Sequence, residues 1–119
     1  MDPRVRGIIL LMTRNLNRNV SLAEMAKAIH LSPSHLRQLF KRETGVPIAR
    51  YGRQLRLAEA RKLLRNTFLN VKEVAATVGV TGVSHFVRDF EKAYGTTPGR
   101  YAARYRKASQ AKRTARGNR

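Results

Sequence analysis

Arg37 and Gln38 stand side by side in the segment Ser32 to Gly45, where Leu36, Leu39 and Phe40 recur at helical spacing as a buried face. With those three turned inward, Ser34, Arg37, Gln38 and Lys41 face outward. These are groups that recognise nucleobases: arginine offers paired donors to guanine, glutamine a donor and an acceptor matched to adenine, and serine a permissive contact. Further along, Phe86 and Phe90 take the inner face of a second segment and leave Val83, Ser84, His85, Val87 and Arg88 for the outer one. Arg88 is the natural guanine reader there, and Val83 can meet a thymine methyl. Ser34, Arg37, Gln38, Val83, Ser84 and Arg88 are therefore the candidate base readers, with Lys41, His35, His85 and Arg100 as phosphate or secondary contacts. Blander roles compete: an exposed arginine also suits a phosphate, the two histidines hold equivalent places that suit a shared structural job, and Ser34 and Ser84 lie where local backbone bonding is common.

The charge points to the same partner. The 119 residues carry 25 Lys and Arg against 7 Asp and Glu, a formal net charge of +18 and a pI near 11.7. A polyanion is the expected ligand. Residues 107–119 hold five of the cations and no acid or large aliphatic residue, so they are expected to be a disordered basic tail; the remaining body still carries +13. With hydrophobic residues at 42%, that body can bury a core.

Other chemistries are poorly supplied. There is no cysteine, hence no disulfide, thiolate metal site or cysteine nucleophile. The three histidines lack metal-ligand spacing, the seven acids are scattered, and Gly79-Val80-Thr81-Gly82 lacks the lysine and length of a phosphate loop. No enzyme activity, metal, cofactor or small-molecule site is expected. The apolar run Ile8 to Met12 is too short for a signal peptide or a membrane span, so the expected setting is the cytoplasm.

The elements that must hold the candidate readers are all helical. Asp2 and Pro3 suit an N-cap and first residue, followed by Val5, Ile8, Ile9, Met12 and Leu16 on one face. Val20, Ser21, Glu24 and Met25 make a capping box with a hydrophobic staple, so a helix is expected from Leu22. After a break at His30 and Leu31, Ser32 and Pro33 start the next, which ends at Gly45. Leu69, Asn70, Glu73 and Val74 repeat the box 49 residues on, and His35, Phe40, Gly45, Arg50, Tyr51 and Arg56 return 50 residues later as His85, Phe90, Gly95, Arg100, Tyr101 and Arg106. The chain holds two copies of one unit. Between them Ile48 to Leu64 reads as an unbroken helix with two apolar stripes, Tyr51, Leu55 and Ala58 on one and Leu57, Ala60, Leu63 and Leu64 on the other. The expected organisation is a first helix-turn-helix lobe at 1–46, a linker helix at 47–65, a second lobe at 66–106 and the tail at 107–119.

These residues resemble the DNA-binding region of the AraC/XylS family of bacterial transcription regulators. The signature stretch is Ala75, Val78-Gly79, Ser84-His85-Phe86, Arg88, Phe90, Tyr94-Gly95, Thr97-Pro98 and Tyr101, and Arg56-Leu57, Ala60-Arg61 and Leu63-Leu64 resemble the family's linker helix. The resemblance implies an all-α fold of seven helices in two helix-turn-helix lobes, and recognition helices laid in successive major-groove segments about one helical turn apart. It implies a sequence-specific regulator of promoter or operator DNA, more often an activator, associated with the nucleoid, with RNA polymerase as a further partner. Two units in one chain lead us to expect binding as a monomer. The competing class is a sequence-indifferent binder of RNA or chromosomal DNA, for which charge alone suffices. Four departures from the family pattern stand out: Gln38 stands where the first unit often carries Arg, with Arg37 beside it, which leaves open which of the two reads a base; His30 replaces the small turn residue seen as Gly79; Val46 lacks the hydroxyl that Thr97 supplies; and Gly82 stands where an acid is common.

Overall fold

The computed structural model describes residues 1–106, and they contain seven α-helices, one short 3-10 turn and no strand. α1 is Pro3–Arg14, α2 Leu22–Ala28, α3 Pro33–Thr44, α4 Ile48–Asn66, α5 Val71–Thr77, α6 Val83–Tyr94, and α7 covers 98–106. The expected disordered tail lies outside the described residues.

Most boundaries follow from caps. The Asp2 carboxylate accepts from the Arg4 amide at 2.8 Å to start α1, and Ser21 and Ser32 accept from the amides of Glu24 and His35 to start α2 and α3. α5 has the full reciprocal box, with Asn70 accepting from the Glu73 amide and the Glu73 carboxylate accepting from the Asn70 amide. The box expected at α2 is only half made: the Glu24 carboxylate turns to Arg18, 3.0 Å away, because a guanidinium attracts it more strongly than a neutral amide. Leu16, expected on the first helical face, falls in the 3-10 turn Leu16–Arg18 instead, after Asn15 breaks the α-helical backbone at φ −129°. α4 runs two residues beyond its expected end, and Ala58 is exposed rather than part of an apolar stripe.

The contacts divide the chain into two units, Met1–Arg56 and Leu57 onward, so the division falls inside α4. In the first unit Val5, Ile8 and Met12 of α1 close over Met25, Ala26, Leu36, Leu39 and Phe40, with Ile48 beneath them and Tyr51 and Leu55 at the edge. In the second, Leu57, Ala60 and Leu64 of α4 close over Val74, Ala75, Val78, Phe86 and Phe90, with Tyr101 and Ala102. Residues 57, 60 and 64 thus do for the second unit what 5, 8 and 12 do for the first, a correspondence at a shift of 52. Phe40 meets Tyr51 edge-on at 5.2 Å between ring centres, and Phe90 meets Tyr101 at 5.8 Å in the same way. Each core is small and rests on a few residues with almost no exposure, among them Leu36 and Phe40 in one and Phe86 and Phe90 in the other.

The units differ in how the last helix is tied down. In the second, the Arg106 guanidinium donates to the carbonyl of Leu64 at 2.9 Å and of Leu69 at 2.6 Å, holding the end of α7 to the last turn of α4 and to the turn before α5. Arg56 holds the matching place in the first unit, yet among the described residues its buried Nε has no hydrogen-bond partner, and burial pushes its pKa below the usual arginine value.

Candidate nucleic-acid interface

Each unit presents one helix on a turn built by the same backbone device. After α2, the Leu31 amide donates to the Ala26 carbonyl at 3.0 Å, and after α5 the Val80 amide donates to Ala75 at 2.9 Å. Both turns need a left-handed residue. Gly79 supplies it in the second unit at φ 78°, at no steric cost, whereas His30 adopts φ 58° in the first and carries the strain of a side chain there. His30 is exposed, so burial of the ring does not compensate that strain.

On α3 the burial of Leu36, Leu39 and Phe40 leaves Ser34, His35, Arg37, Gln38 and Lys41 exposed, as expected. Ser34, Gln38 and Lys41 lie on one stripe by their spacing, with Arg37 beside it. On α6, Phe86 and Phe90 are buried, and Val83, Ser84, His85, Arg88 and Glu91 are exposed. Val87 and Asp89 are half-buried at the flanks. The structure therefore gathers Ser34, Arg37, Gln38 and Lys41 on one helix surface and Val83, Ser84, His85 and Arg88 on another. Arg100 lies elsewhere, exposed in the first turn of α7, where its amide donates to the Thr97 hydroxyl at 3.3 Å.

α6 begins without a side-chain cap. Gly82 is its N-cap at φ 90°, a backbone that suits glycine, and the first amides of the helix have no side-chain acceptor from it. His85 and Asp89, one turn apart on α6, approach to 3.4 Å between Nε2 and a carboxylate oxygen. The side chain of His85 remains 63% exposed, so the pair does not bury the ring.

Apart from Val83, the outward groups on both helices are hydrogen-bond donors and acceptors of the kind that match base edges, set among cations. Residues 1–56 hold eleven Lys and Arg against three acids, and residues 57–106 hold nine against four. Among the described residues no group of three or more His, Cys, Asp or Glu could hold a metal ion, and no helix is long and apolar enough to cross a membrane. Spacing alone did not draw attention to Asp89 or Glu91. The shift of 50 between the copies could have done so, because it sets them against Leu39 and Lys41.

Residues 25–104 match the family described as Helix-turn-helix domain. The chain belongs to this family, in its AraC/XylS type. It is 32% identical over 97 residues to the HTH-type transcriptional regulator GbdR of Pseudomonas aeruginosa, a match covering 82% of this chain and 26% of GbdR. A transcriptional regulator with an AraC-type DNA-binding domain from Chromobacterium violaceum superposes with a TM-score of 0.81 at 26% identity, over 87% of this chain and 92% of that one. The DNA-binding domain of AdpA, solved in complex with a target DNA, shares the fold at 22% identity with a TM-score of 0.82, over 91% of this chain and 96% of that one. The chain spans about a quarter of the length of GbdR.

Proposed function

We propose that this chain is the DNA-reading part of a bacterial transcription regulator of the AraC/XylS type, more specifically of an activator, and that it reads two segments of duplex DNA with α3 and α6. The observation that carries this reading is the pair of matched helices with unlike outer faces. The same turn and the same core present Ser34, Arg37 and Gln38 in one unit and Val83, Ser84 and Arg88 in the other. A protein that needed only charge would have no use for two different sets of base-edge donors on a common scaffold. Membership of a family of transcription regulators and the DNA complex of AdpA support the same conclusion.

In this reading Arg37 and Arg88 donate to guanine, Gln38 pairs with adenine, and Lys41 contacts phosphate. His35, His85 and Arg100 contact the backbone. The lobes at 1–46 and 66–106 each hold one reading helix, the chain binds as a monomer in the bacterial cytoplasm, and RNA polymerase is its protein partner at promoters. No catalytic step or cofactor belongs to this activity.

The test is selection of duplexes from a random library at near-physiological salt, followed by sequencing of the bound pool. A bipartite motif with two unlike halves is the expected result. Tight, salt-sensitive binding without enrichment would refute sequence reading and leave a charge-driven binder.

A further inference from the structure

α3 and α6 keep their residues in register to the last turn. Gly45 and Gly95 end the two helices with the same left-handed backbone, φ 76° and 75°, and each amide donates at 2.8 Å to the carbonyl four residues earlier. That carbonyl belongs to Lys41 in one helix and to Glu91 in the other. The two residues thus hold the same backbone place, and both side chains are exposed. Each also lies on the stripe of the candidate readers, Lys41 with Ser34 and Gln38, Glu91 with Ser84 and Arg88. At one place, the charge is reversed.

Nothing among the described residues uses that reversal. Among the described residues the Glu91 carboxylate makes no ion pair or hydrogen bond, unlike Asp89, which has His85 beside it. In the last turn of α6 a negative charge also faces the negative end of the helix dipole, so the placement does not help the helix. The neighbours follow the same trend. α3 carries Arg37, Lys41 and Arg42 against Glu43, whereas α6 carries Arg88 and Lys92 against Asp89 and Glu91, with Val87 where α3 has Arg37.

We infer that Glu91 makes the second unit a conditional reader: its carboxylate repels the phosphates that Lys41 attracts at the equivalent place, so α6 stays on DNA only where base contacts offset the repulsion. The first unit anchors the protein on any duplex, and the second closes on the matching sequence. This rests on the DNA-reading function proposed above. Sequence-independent affinity comes almost wholly from neutralised phosphates, and one carboxylate among them acts against it.

The experiment compares wild type, Glu91→Lys, Glu91→Gln and Lys41→Glu on the selected duplex and on the same duplex with its second half scrambled. Affinity is measured across salt, and backbone protection by hydroxyl-radical footprinting. Wild type is expected to protect both halves of the selected duplex and only the first half of the scrambled one. Glu91→Lys should protect both halves of both. On the selected duplex one added phosphate contact steepens the salt slope by about 0.9, so the advantage of Glu91→Lys over wild type should grow about 3.5-fold between 200 and 50 mM salt. Glu91→Gln should fall between the two, and Lys41→Glu should weaken binding to both duplexes. An unchanged salt slope and footprint for Glu91→Lys would overturn the inference, as would loss of preference at a single base pair in Glu91→Gln, which would make the carboxylate a base reader. Should wild type select no motif and protect every duplex alike, the DNA-reading function itself fails and the inference with it.

Discussion

Arg56 and Arg106 hold the same place in the two units and stand in opposite bonding states, which sets up a comparison with two different outcomes. Replacing Arg106 by Met keeps an unbranched stem and removes the guanidinium, leaving the carbonyls of Leu64 and Leu69 without their donors. Hydrogen bonds to a charged group contribute about 1.5–3 kcal/mol each, and because both here end on one side chain at a partly exposed site the combined loss should be about 2–4 kcal/mol. For a chain of this size that lowers the thermal midpoint on the order of 10 °C. Replacing Arg56 by Met removes instead a buried Nε that has no partner among the described residues, and whose desolvation opposes folding. That change should lie between neutral and about 1 kcal/mol stabilising. Urea unfolding followed by circular dichroism measures both, and amide hydrogen exchange in α5 should quicken only in the Arg106 variant. Equal losses for the two replacements, or a larger loss for Arg56→Met, would refute the reasoning that the two arginines differ in bonding.

Three further outcomes concern other residues of the two units. His30→Gly should stabilise the protein by about 0.5–1 kcal/mol, since it relieves a left-handed side chain at a modest cost in chain entropy, whereas Gly79→Ala should destabilise it; thermal melts of the two variants check this. The Asp2 carboxyl, held at about 2 by its hydrogen bonds from Arg4, stabilises the start of α1 above the ordinary value of 3.8, and this contribution should be lost as the pH falls through about 2. A titration of the Asp2 carboxyl resonance should show that midpoint, and Asp2→Asn should abolish the dependence in that window. Arg37→Ala and Arg88→Ala should each cost about 1–3 kcal/mol of binding and relax preference at one base position in a repeated selection; uniform weakening across sequences would assign that arginine to phosphate.

The fold was largely legible because its punctuation is local. Ser21, Ser32 and Asn70 each cap an amide three residues on, and Gly45 and Gly95 end their helices with backbone that glycine favours, so a short window of sequence holds both partners. The outward faces of α3 and α6 were legible for the same reason, since two or three large apolar residues settle the orientation of a short helix. What escaped depends on distance along the chain or on competition. Arg106 reaches carbonyls 42 and 37 residues away, and no spacing rule announces such a bond. Glu24 had two possible partners and took the charged one. The exposed ring of Phe68 shows the limit from the other side: a residue type that ordinarily goes inside is 88% exposed in the turn before α5.

The sharing of α4 between two units also speaks to how such a chain can grow. Residues 48–56 end the first copy as 98–106 end the second, while 57, 60 and 64 open the second copy as 5, 8 and 12 open the first. One helix is therefore the closing element of one module and the opening element of the next. Tandem gene duplication could create this join in a single event, with no connecting loop to be selected afterwards, and it leaves α7 in the position from which a third module could be extended. His30 against Gly79, and Lys41 against Glu91, are places where the two copies differ on a common scaffold.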